Sequence, residues 1–221
     1  MTDTPSKERI RQLLNPLKRE YGVPEWQPHD DPISVLVQTI LSQNTSDTNS
    51  SSAFLSLLAS FDNWEDVADA DVDTIAQCIR RGGLGRIKAQ RIKQTLKWIA
   101  QKKGQLELDF LGQLAPSEAQ DWLEQLPGVG AKTARCVLLF SLGVPALPVD
   151  THISRLARRL GLINPNASLD EAHSALGEMV PPDDVYQFHA LLIKHGRRIC
   201  RARYPRCKDC VLAEICISHP M

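Results

Sequence analysis

The cysteines of this chain are concentrated near its C-terminus. Four of the six lie in the seventeen-residue segment CRARYPRCKDCVLAEIC, at Cys200, Cys207, Cys210 and Cys216. The first thirty residues contain no apolar run behind a basic start, and no eighteen consecutive residues are apolar, so we expect a soluble, cytoplasmic protein without a membrane partner. In a reducing cytosol, clustered thiols more often bind metal or take part in catalysis than form disulfides. The segment therefore predicts a metal centre or a reactive thiol site.

The glycine-containing segment LPGVGAKTA, residues 126–134, is a second candidate site. Gly128 and Gly130 permit backbone angles that other residues avoid, and they let main-chain N–H groups approach a ligand closely. The first turn of the helix that follows, which includes Thr133, adds free N–H donors and the positive end of a dipole. Together these features favour binding of a DNA phosphate without regard to base sequence. An ordinary glycine-capped turn between two helices is the alternative explanation.

Two side chains near this segment could do chemistry together. Lys132 lies in the first turn of a helix predicted over residues 131–142, where the dipole disfavours a cation, so helix stability does not explain its position. Asp150 is placed as the N-cap of the next helix, and capping alone would account for it. The helix rises about 17 Å and the eight residues GVPALPVD can span about 26 Å, so the chain can return Asp150 to the helix start. A carboxylate near the amine could orient it, accept its proton or stabilise positive charge that develops on a sugar ring.

The distribution of charge is more informative than its sum. The formal net charge is zero, which argues against a protein that coats nucleic acid indiscriminately. Nine Lys or Arg and no acid occur between Ile79 and Lys103, and seven more, again with no acid, between Lys194 and Lys208. A single basic run is usually a solvated helix face. Two runs, one of them overlapping the cysteine segment, favour a surface that binds a polyanion.

The segments that must position these residues have a helical pattern. Apolar residues recur at intervals of three and four, and no segment alternates convincingly like a strand. Asp31 before Pro32 is typical of an N-cap, and Ser168 with Glu171 of a capping box. Helix ends are indicated by glycines just past periodic runs, at Gly104, Gly143 and Gly161. The sequence therefore predicts an all-α fold, and 221 residues with 43% hydrophobic content can fill one large or two modest domains.

Three segments carry a specific resemblance. LPGVGAKTA, VDTHISRL and HALLIKHGRRICRARYPRCKDCVLAEIC together resemble the endonuclease III family of DNA glycosylases with a helix-hairpin-helix. The similarity implies that Lys132 attacks C1′ of a damaged deoxynucleotide, expels the base and forms a Schiff base, after which β-elimination nicks the strand. Asp150 corresponds to the family's catalytic carboxylate, and the neighbouring His152 is a candidate for shaping the DNA-binding pocket.

The resemblance also implies a two-domain architecture. Residues 27–144 are expected to form a helical barrel domain that contains the hairpin. Residues 1–26 together with 145–221 are expected to form an iron-sulfur cluster domain. The family's cluster ligands correspond to the four clustered cysteines, which implies a [4Fe-4S] cofactor, whereas a tetrahedral zinc ion is the alternative for four thiolates. The loop RARYPR between the first two ligands is expected to contact DNA phosphates through Arg201, Arg203 and Arg206.

Removal of a base requires that the nucleotide leave the duplex and that protein fill the gap. In the family two loops do this, and they correspond to LSQNTSD and GLGRIKA in this chain. Both depart from the family's pattern, because Gln43 and Asn44 replace an alanine-glutamine pair, and Gly85 and Arg86 replace an aromatic residue and an asparagine. We expect these four residues to contact DNA with an altered lesion range.

The function expected from the resemblance is that of a bifunctional DNA glycosylase and AP lyase of base excision repair. Its substrate would be double-stranded DNA with a damaged pyrimidine, most simply an oxidised one, or an abasic site. We expect it to act as a monomer associated with the nucleoid. Two alternatives stay open: a glycosylase or AP lyase of altered specificity, for mismatches or abasic sites, and a DNA-binding module with little turnover.

Overall fold

The computed structural model of the chain describes residues 4–219. Every regular element in this range is helical, which confirms the predicted all-α fold. The chain divides into two compact units: a central unit, Pro28–Val144, and a terminal unit that joins the residues up to Gln27 to those from Pro145 onward. Within residues 4–219, no helix is both long enough and apolar enough to cross a membrane.

Seven α-helices form the central unit, all of which lies within the described residues. The second helix of the chain, α2, is apolar on nearly every side and packs mainly against α8 and α3. Its Ile33, Leu36 and Ile40 are almost completely buried, as expected for a helix surrounded by others. The elements are α2 (Pro32–Ser42), α3 (Asp47–Ser60), α4 (Trp64–Asp69), α5 (Val72–Cys78), α6 (Gly85–Lys103), α7 (Pro116–Glu124) and α8 (Ala131–Leu142), with 3-10 turns at Arg80–Gly82 and Asp109–Gln113.

The terminal unit contains four α-helices among its described residues. The last of them, α11, packs against α1 and α9, and its Phe188 is fully buried. In α1 the buried residues Ile10, Leu13, Leu14 and Leu17 repeat at intervals of three and four, which explains how one face of the helix is covered. The helices are α1 (Thr4–Tyr21), α9 (Thr151–Arg159), α10 (Leu169–Met179) and α11 (Val185–Arg198), with 3-10 turns at Pro182–Asp184, Cys207–Asp209 and Ala213–Ile215.

The local signals for helix ends are confirmed. The Asp31 carboxylate accepts a hydrogen bond from the Ser34 N–H at 3.0 Å, and Ser168 and Glu171 form a reciprocal capping box. Gly104 and Gly143 end α6 and α8 in the left-handed conformation, with φ of +79° and +66°. The boundaries of helices next to the candidate residues are therefore set by short-range interactions.

Candidate active site and metal centre

The hairpin between α7 and α8 presents Lys132. Gly128 has a φ of +74°, and a Cβ atom there would lie 2.2 Å from Nε of Arg91, so this position requires glycine. Gly130 is extended, with φ −111° and ψ −179°, so the expectation of special backbone angles is right for Gly128 and wrong for Gly130. As N-cap of α8, Gly130 offers no side-chain acceptor to the first N–H groups of the helix. Those donors are therefore available to an anion.

Lys132 is the second residue of α8 and is half-buried. Within residues 4–219 no hydrogen bond or ion pair engages its amine. The positive end of the helix dipole disfavours a cation at this point, so the lysine does not serve helix stability. The next residue, Thr133, is buried, and its Oγ1 accepts a hydrogen bond from Nε2 of Gln43 at 3.5 Å. This hydrogen bond links the hairpin to the residue that follows α2, within the central unit.

The loop Gln43–Ser46 follows α2, where the sequence places the first DNA-contacting loop. Both ends of the Gln43 amide are used internally, because its oxygen accepts a hydrogen bond from Nη1 of Arg91 at 2.5 Å and its nitrogen donates to Thr133. Asn44 is exposed and has a φ of +53°. Of these two residues, Asn44 rather than Gln43 has its side chain exposed and without an internal hydrogen bond among residues 4–219. Sequence analysis missed Arg91, which joins the loop to the hairpin.

The prediction that Gly85 and Arg86 lie in a loop is wrong, since α6 begins at Gly85. Arg86 forms an ion pair with Asp73 at 2.7 Å on the protein surface. The loop is shorter, Gly83–Leu84, and Leu84 is 55% exposed with a φ of +49°. An exposed apolar side chain on strained backbone is a candidate for insertion between DNA bases. Sequence analysis missed Leu84 because it stands between two glycines and belongs to no helical period.

Six of the nine basic residues in the run at 79–103 contact other groups of the protein, several of them at the surface. Two of its residues donate to main-chain carbonyls, two contact polar or acidic side chains, and two lie over aromatic rings. In that order they are Lys88 and Lys93, Arg86 and Arg91, Lys102 and Lys103. Of the nine basic residues only Lys88 is buried and six are exposed, so the phosphate-binding face stays a prediction for the exposed part of the run.

Asp150 caps α9, as the sequence predicts. Its Oδ1 accepts hydrogen bonds from the N–H groups of His152 at 2.8 Å and Ile153 at 2.9 Å. Both bonds go to the same oxygen, so the cap does not use Oδ2. The cap fixes the carboxylate on the helix and leaves one oxygen for chemistry.

Arg155, which sequence analysis missed, orders the residues around Asp150. Its guanidinium donates to Nδ1 of His152 at 3.1 Å and to the main-chain oxygens of Gly196 at 3.0 Å and Cys200 at 3.1 Å. A guanidinium can only donate, so Nδ1 accepts and the proton of the neutral His152 ring is on Nε2. Burial lowers the pKa of Arg155, and the nearby negative charges of Cys200 and Asp150 oppose that shift. His152 is thus oriented from within the terminal unit.

The four clustered cysteines are half-buried and follow α11 in a series of short turns. Cys200 Sγ accepts a hydrogen bond from Nη1 of Arg159 at 3.2 Å, and Cys216 Sγ donates to the main-chain oxygen of Arg159 at 3.5 Å. Burial raises the pKa of the Cys210 thiol, and electrostatic interaction with the other three cysteine side chains raises it further. Among residues 4–219, no group of three or more His, Cys, Asp or Glu side chains is arranged to hold a single metal ion.

A buried histidine contacts this group. His195 is 1% exposed, and its Nε2 lies 3.4 Å from Cys210 Sγ while its Nδ1 lies 2.9 Å from the Tyr21 hydroxyl. Burial lowers the pKa of His195 to about 4, so the ring is neutral near pH 7. A neutral imidazole donates from one nitrogen and accepts at the other, which matches one partner on each side.

The loop RARYPR carries the predicted arginine contacts. Arg206 is paired with Asp209 at 2.8 Å, so part of its donor capacity is used internally. Arg201 and Arg203 are exposed, and no hydrogen bond or ion pair within residues 4–219 engages their guanidinium groups. Tyr204, directly after Arg203, is 91% exposed with a φ of +53°, and sequence analysis did not single it out.

Backbone strain marks the same three loops. Among the described residues, the non-glycine residues with positive φ are Asn44, Leu84 and Tyr204, and each is exposed. Left-handed backbone is unfavourable for residues with a side chain and is concentrated at functional sites. Each of the three lies in a segment that sequence analysis assigned to DNA contact. The left-handed backbone is therefore independent evidence that these three loops are functional.

Comparison with known proteins gives a consistent answer. Residues 37–182 match the family model described as HhH-GPD superfamily base excision DNA repair protein. Endonuclease III of Thermotoga maritima is 33% identical over 207 residues, which cover 94% of this chain and 92% of that protein. A relative from Arabidopsis thaliana is 39% identical over 165 residues, and the chain spans 56% of its length.

Two solved structures of endonuclease III with DNA have the same fold. A non-covalent complex and a trapped covalent intermediate each align with 96% of this chain, at a TM-score of 0.82 and 29% sequence identity. A thermostable thymine-DNA glycosylase aligns with a TM-score of 0.80 at 20% identity, which supports the fold alone. This chain therefore belongs to the HhH-GPD superfamily of base excision DNA repair proteins and, within it, to the endonuclease III family.

Proposed function

We propose that this DNA glycosylase excises oxidised pyrimidines from duplex DNA and then nicks the strand by AP lyase chemistry, with Lys132 as nucleophile. The observation that carries the proposal is an amine without an internal partner at the start of α8, directly behind a hairpin with free N–H donors. The similarity to a trapped covalent endonuclease III–DNA intermediate supports it, since a covalent intermediate requires an enzyme nucleophile.

The reaction follows from amine chemistry. The neutral Nζ of Lys132 attacks C1′, the glycosidic bond breaks, and its electron pair leaves with the base, which takes up a proton. The amine then loses its proton and the sugar ring opens, giving an iminium between Nζ and C1′. Loss of a proton from C2′ expels the 3′ phosphate and nicks the strand. Water hydrolyses the remaining imine and returns the free amine.

Asp150 is the proposed carboxylate partner in these steps. A carboxylate can accept the proton that the attacking amine must lose, and it can stabilise the positive charge that develops on the sugar as the base departs. Because the cap of α9 occupies Oδ1 alone, Oδ2 is the oxygen proposed to do this. The two hydrogen bonds to Oδ1 hold the carboxylate in place.

Binding of DNA is proposed to use the three strained loops and the hairpin. The uncapped N–H groups after Gly130 would hold a phosphate, and Arg201 and Arg203 would contact others. Asn44 and Leu84 would fill the space that an extruded nucleotide leaves, one with a polar and the other with an apolar side chain. A protein with zero net charge then owes its affinity to local contacts rather than to an overall positive field.

The four clustered cysteines are proposed to hold a [4Fe-4S] cluster. Thiolates are the ligands of such clusters, and the contacts that Cys200 and Cys216 both make with Arg159 support a common site. From residue 201 to 219 only Leu212 is buried, so this segment lacks a core of its own. When bound, the cluster would tie together four points of the segment and stabilise its fold.

The cluster proposal predicts a coloured protein. Purified wild-type protein should be yellow-brown and contain iron and acid-labile sulfide in equal amounts. Cys210→Ser should lose the colour and melt at a lower temperature, because one of four ligands is removed. Cys78→Ser, at the end of α5, is the matched control and should keep both properties. A colourless wild-type protein with stoichiometric zinc would contradict the proposal.

A second candidate function is favoured by one observation. Gly85 and Arg86, which replace an aromatic residue and an asparagine of the family pattern, lie in α6 rather than in a loop. In the sequence GGLGRIK around Leu84 no residue is aromatic. A glycosylase that acts on mismatches or abasic sites, instead of oxidised pyrimidines, is the alternative.

The test is a panel of duplexes that each carry one oxidised pyrimidine, oxidised purine, mismatch or abasic site, scored separately for base release and nicking. We expect base release from an oxidised pyrimidine to be at least about tenfold faster than from any mismatch, a margin of about 1.4 kcal/mol in transition-state binding. The abasic duplex should be nicked and should form a borohydride-reduced adduct. Faster release from mismatches would favour the second candidate, and tight binding with neither release nor adduct would indicate a DNA-binding module.

A further inference from the structure

Lys88 is a buried cation that the proposed reaction does not use. It lies in the first turns of α6 and is 2% exposed. Its Nζ donates hydrogen bonds to the main-chain oxygens of Leu41 at 2.7 Å and Gly82 at 2.8 Å. No carboxylate among residues 4–219 pairs with it. Burial lowers the pKa of Lys88, and the charge of Arg91 lowers it further. Keeping a charged ammonium at this site therefore costs desolvation free energy.

The two acceptors of Lys88 are the ends of the segments that lead into the strained loops. Leu41 is in the last turn of α2, directly before the loop Gln43–Ser46. Gly82 ends the 3-10 turn Arg80–Gly82, directly before Gly83–Leu84. Carbonyls at the end of a helix lack partners within it, and a cation there is favourable. One ammonium therefore joins two chain segments that are 41 residues apart in sequence.

Both loops carry their strain at the residue proposed to enter DNA. Asn44 has a φ of +53° and Leu84 a φ of +49°, and both are exposed. Such conformations persist only where the surrounding structure determines them. The hydrogen bonds of the Lys88 ammonium restrain the backbone that leads into both loops. A backbone hydrogen bond from the Lys88 N–H to the Leu84 oxygen at 3.0 Å adds to this restraint. If Lys88 served packing alone, an apolar side chain would fill the site without desolvating a charge.

We infer that Lys88 is a positioning residue that joins the loops Gln43–Ser46 and Gly83–Leu84 into one unit for insertion into duplex DNA. The inference deepens the proposed function, because it concerns how the gap left by an extruded nucleotide is filled. The role inferred for Lys88 predicts different effects on two substrates. An abasic site in a duplex has a gap and an opposing strand, whereas the same site in a single strand needs no insertion. Loss of Lys88 should therefore affect the first substrate and spare the second.

The test compares Lys88→Met, which keeps the volume but donates no hydrogen bond, with wild type. The first measurement uses a duplex with an uncleavable tetrahydrofuran abasic analogue beside 2-aminopurine, whose fluorescence rises when the adjacent stack is opened. The second measures nicking of an abasic site in duplex and in single-stranded DNA. We expect Lys88→Met to lose most of the fluorescence rise and to nick the duplex 10- to 100-fold more slowly. Nicking of the single strand should stay within threefold of wild type.

Lys93→Met is the matched control. Lys93 lies on the same helix and also donates to main-chain carbonyls, those of Asp69 and Ala70 at the end of α4, but it does not contact either loop. It should behave as wild type in both measurements. Lys88→Gln, which retains an N–H donor, should give an intermediate fluorescence rise and duplex rate.

Three results would overturn the inference. They are an unchanged fluorescence rise in Lys88→Met, an equal loss of single-strand and duplex nicking, and the same pattern in Lys93→Met. Equal loss would mean that the substitution damages the whole central unit rather than the loops. A wild-type protein that gives the fluorescence rise but nicks neither substrate would refute the proposed lyase chemistry. In that case loss of the rise in Lys88→Met would still support the inference.

Discussion

Substitution of Lys132 by alanine is expected to abolish the borohydride-trapped adduct with abasic-site DNA and to slow nicking on the order of 10³-fold or more. The amine is the atom that bonds to C1′, and no other group in the proposed reaction replaces it. Adduct formation on a denaturing gel and single-turnover nicking of an abasic duplex measure the two effects. Binding to a tetrahydrofuran duplex should change little, because Gly130 and the N–H groups of α8 are retained.

The stability of Lys132→Ala should change in the opposite direction to its activity. Removing a cation from the positive end of α8 is expected to leave the free energy of unfolding unchanged or to raise it by up to about 1 kcal/mol. Lys97→Ala, an exposed lysine on α6, is the control and should alter neither property. An adduct that persists in Lys132→Ala would assign the nucleophile to another amine. A large loss of stability would mean that the lysine has a structural role after all.

The long helices could be predicted because apolar period and capping act locally. Apolar residues recur at intervals of three and four within α2, α8 and α11, and the caps predicted at Asp31, Ser168 and Asp150 are present. The short helices α4 and α5 could not be predicted, since they lie in an acidic segment with little apolar period. Helices of six or seven residues are marginal by themselves. Both pack against α6, so their stability comes from contacts that the sequence does not reveal.

The error at Gly85 has a related physical cause. The first helical turn of α6 is preceded by Leu84 in the left-handed conformation, and no side chain caps it. Without Ser, Thr, Asp or Asn at the N-cap, and with glycines on both sides of Leu84, the sequence is typical of a loop. The helix begins there because residues further along α6, among them Ala89 and Ile92, are fully buried. Tertiary packing therefore decides the start of α6 and, with it, which residue stands at the loop tip.

The residues of the candidate site form two groups: those whose role depends on neighbours in sequence, and those that act through contacts with distant residues. The conformation of Gly128 and the cap formed by Asp150 depend on neighbours in sequence, and both could be inferred. Lys88, Arg91 and Arg155 each make a key hydrogen bond to a residue 45 to 48 positions away, and none was identified as important. Lys88 and Arg91 belong to a run interpreted as a surface for a polyanion, and Arg155 lies outside both basic runs, yet these three order the loops and cap around the proposed chemistry. A charge run in sequence thus cannot distinguish a ligand-binding face from internal supports.

The second large effect is expected at Asp150, where asparagine and alanine separate the cap from the chemistry. Asp150→Asn should slow base release and nicking by about 10² to 10⁴-fold, because an amide can neither accept the proton of the amine nor stabilise a positive sugar. Its Oδ1 can still accept hydrogen bonds from the N–H groups of His152 and Ile153, and asparagine caps about as well as aspartate. Single-turnover rates and urea unfolding of the same preparation measure the two properties.

Asp150→Ala removes the cap as well and should lower the free energy of unfolding by about 1 kcal/mol, in addition to the loss of activity. Ser168→Ala is the matched control, since it removes the side-chain cap of α10 and should cost a similar amount of stability with little change in rate. If Asp150→Asn kept a rate within a few-fold of wild type, the carboxylate would serve the helix alone. The proton of Lys132 would then have to leave to water or to another base, and the position of Asp150 at the head of α9 would be explained by capping, as the simplest interpretation of the sequence allows.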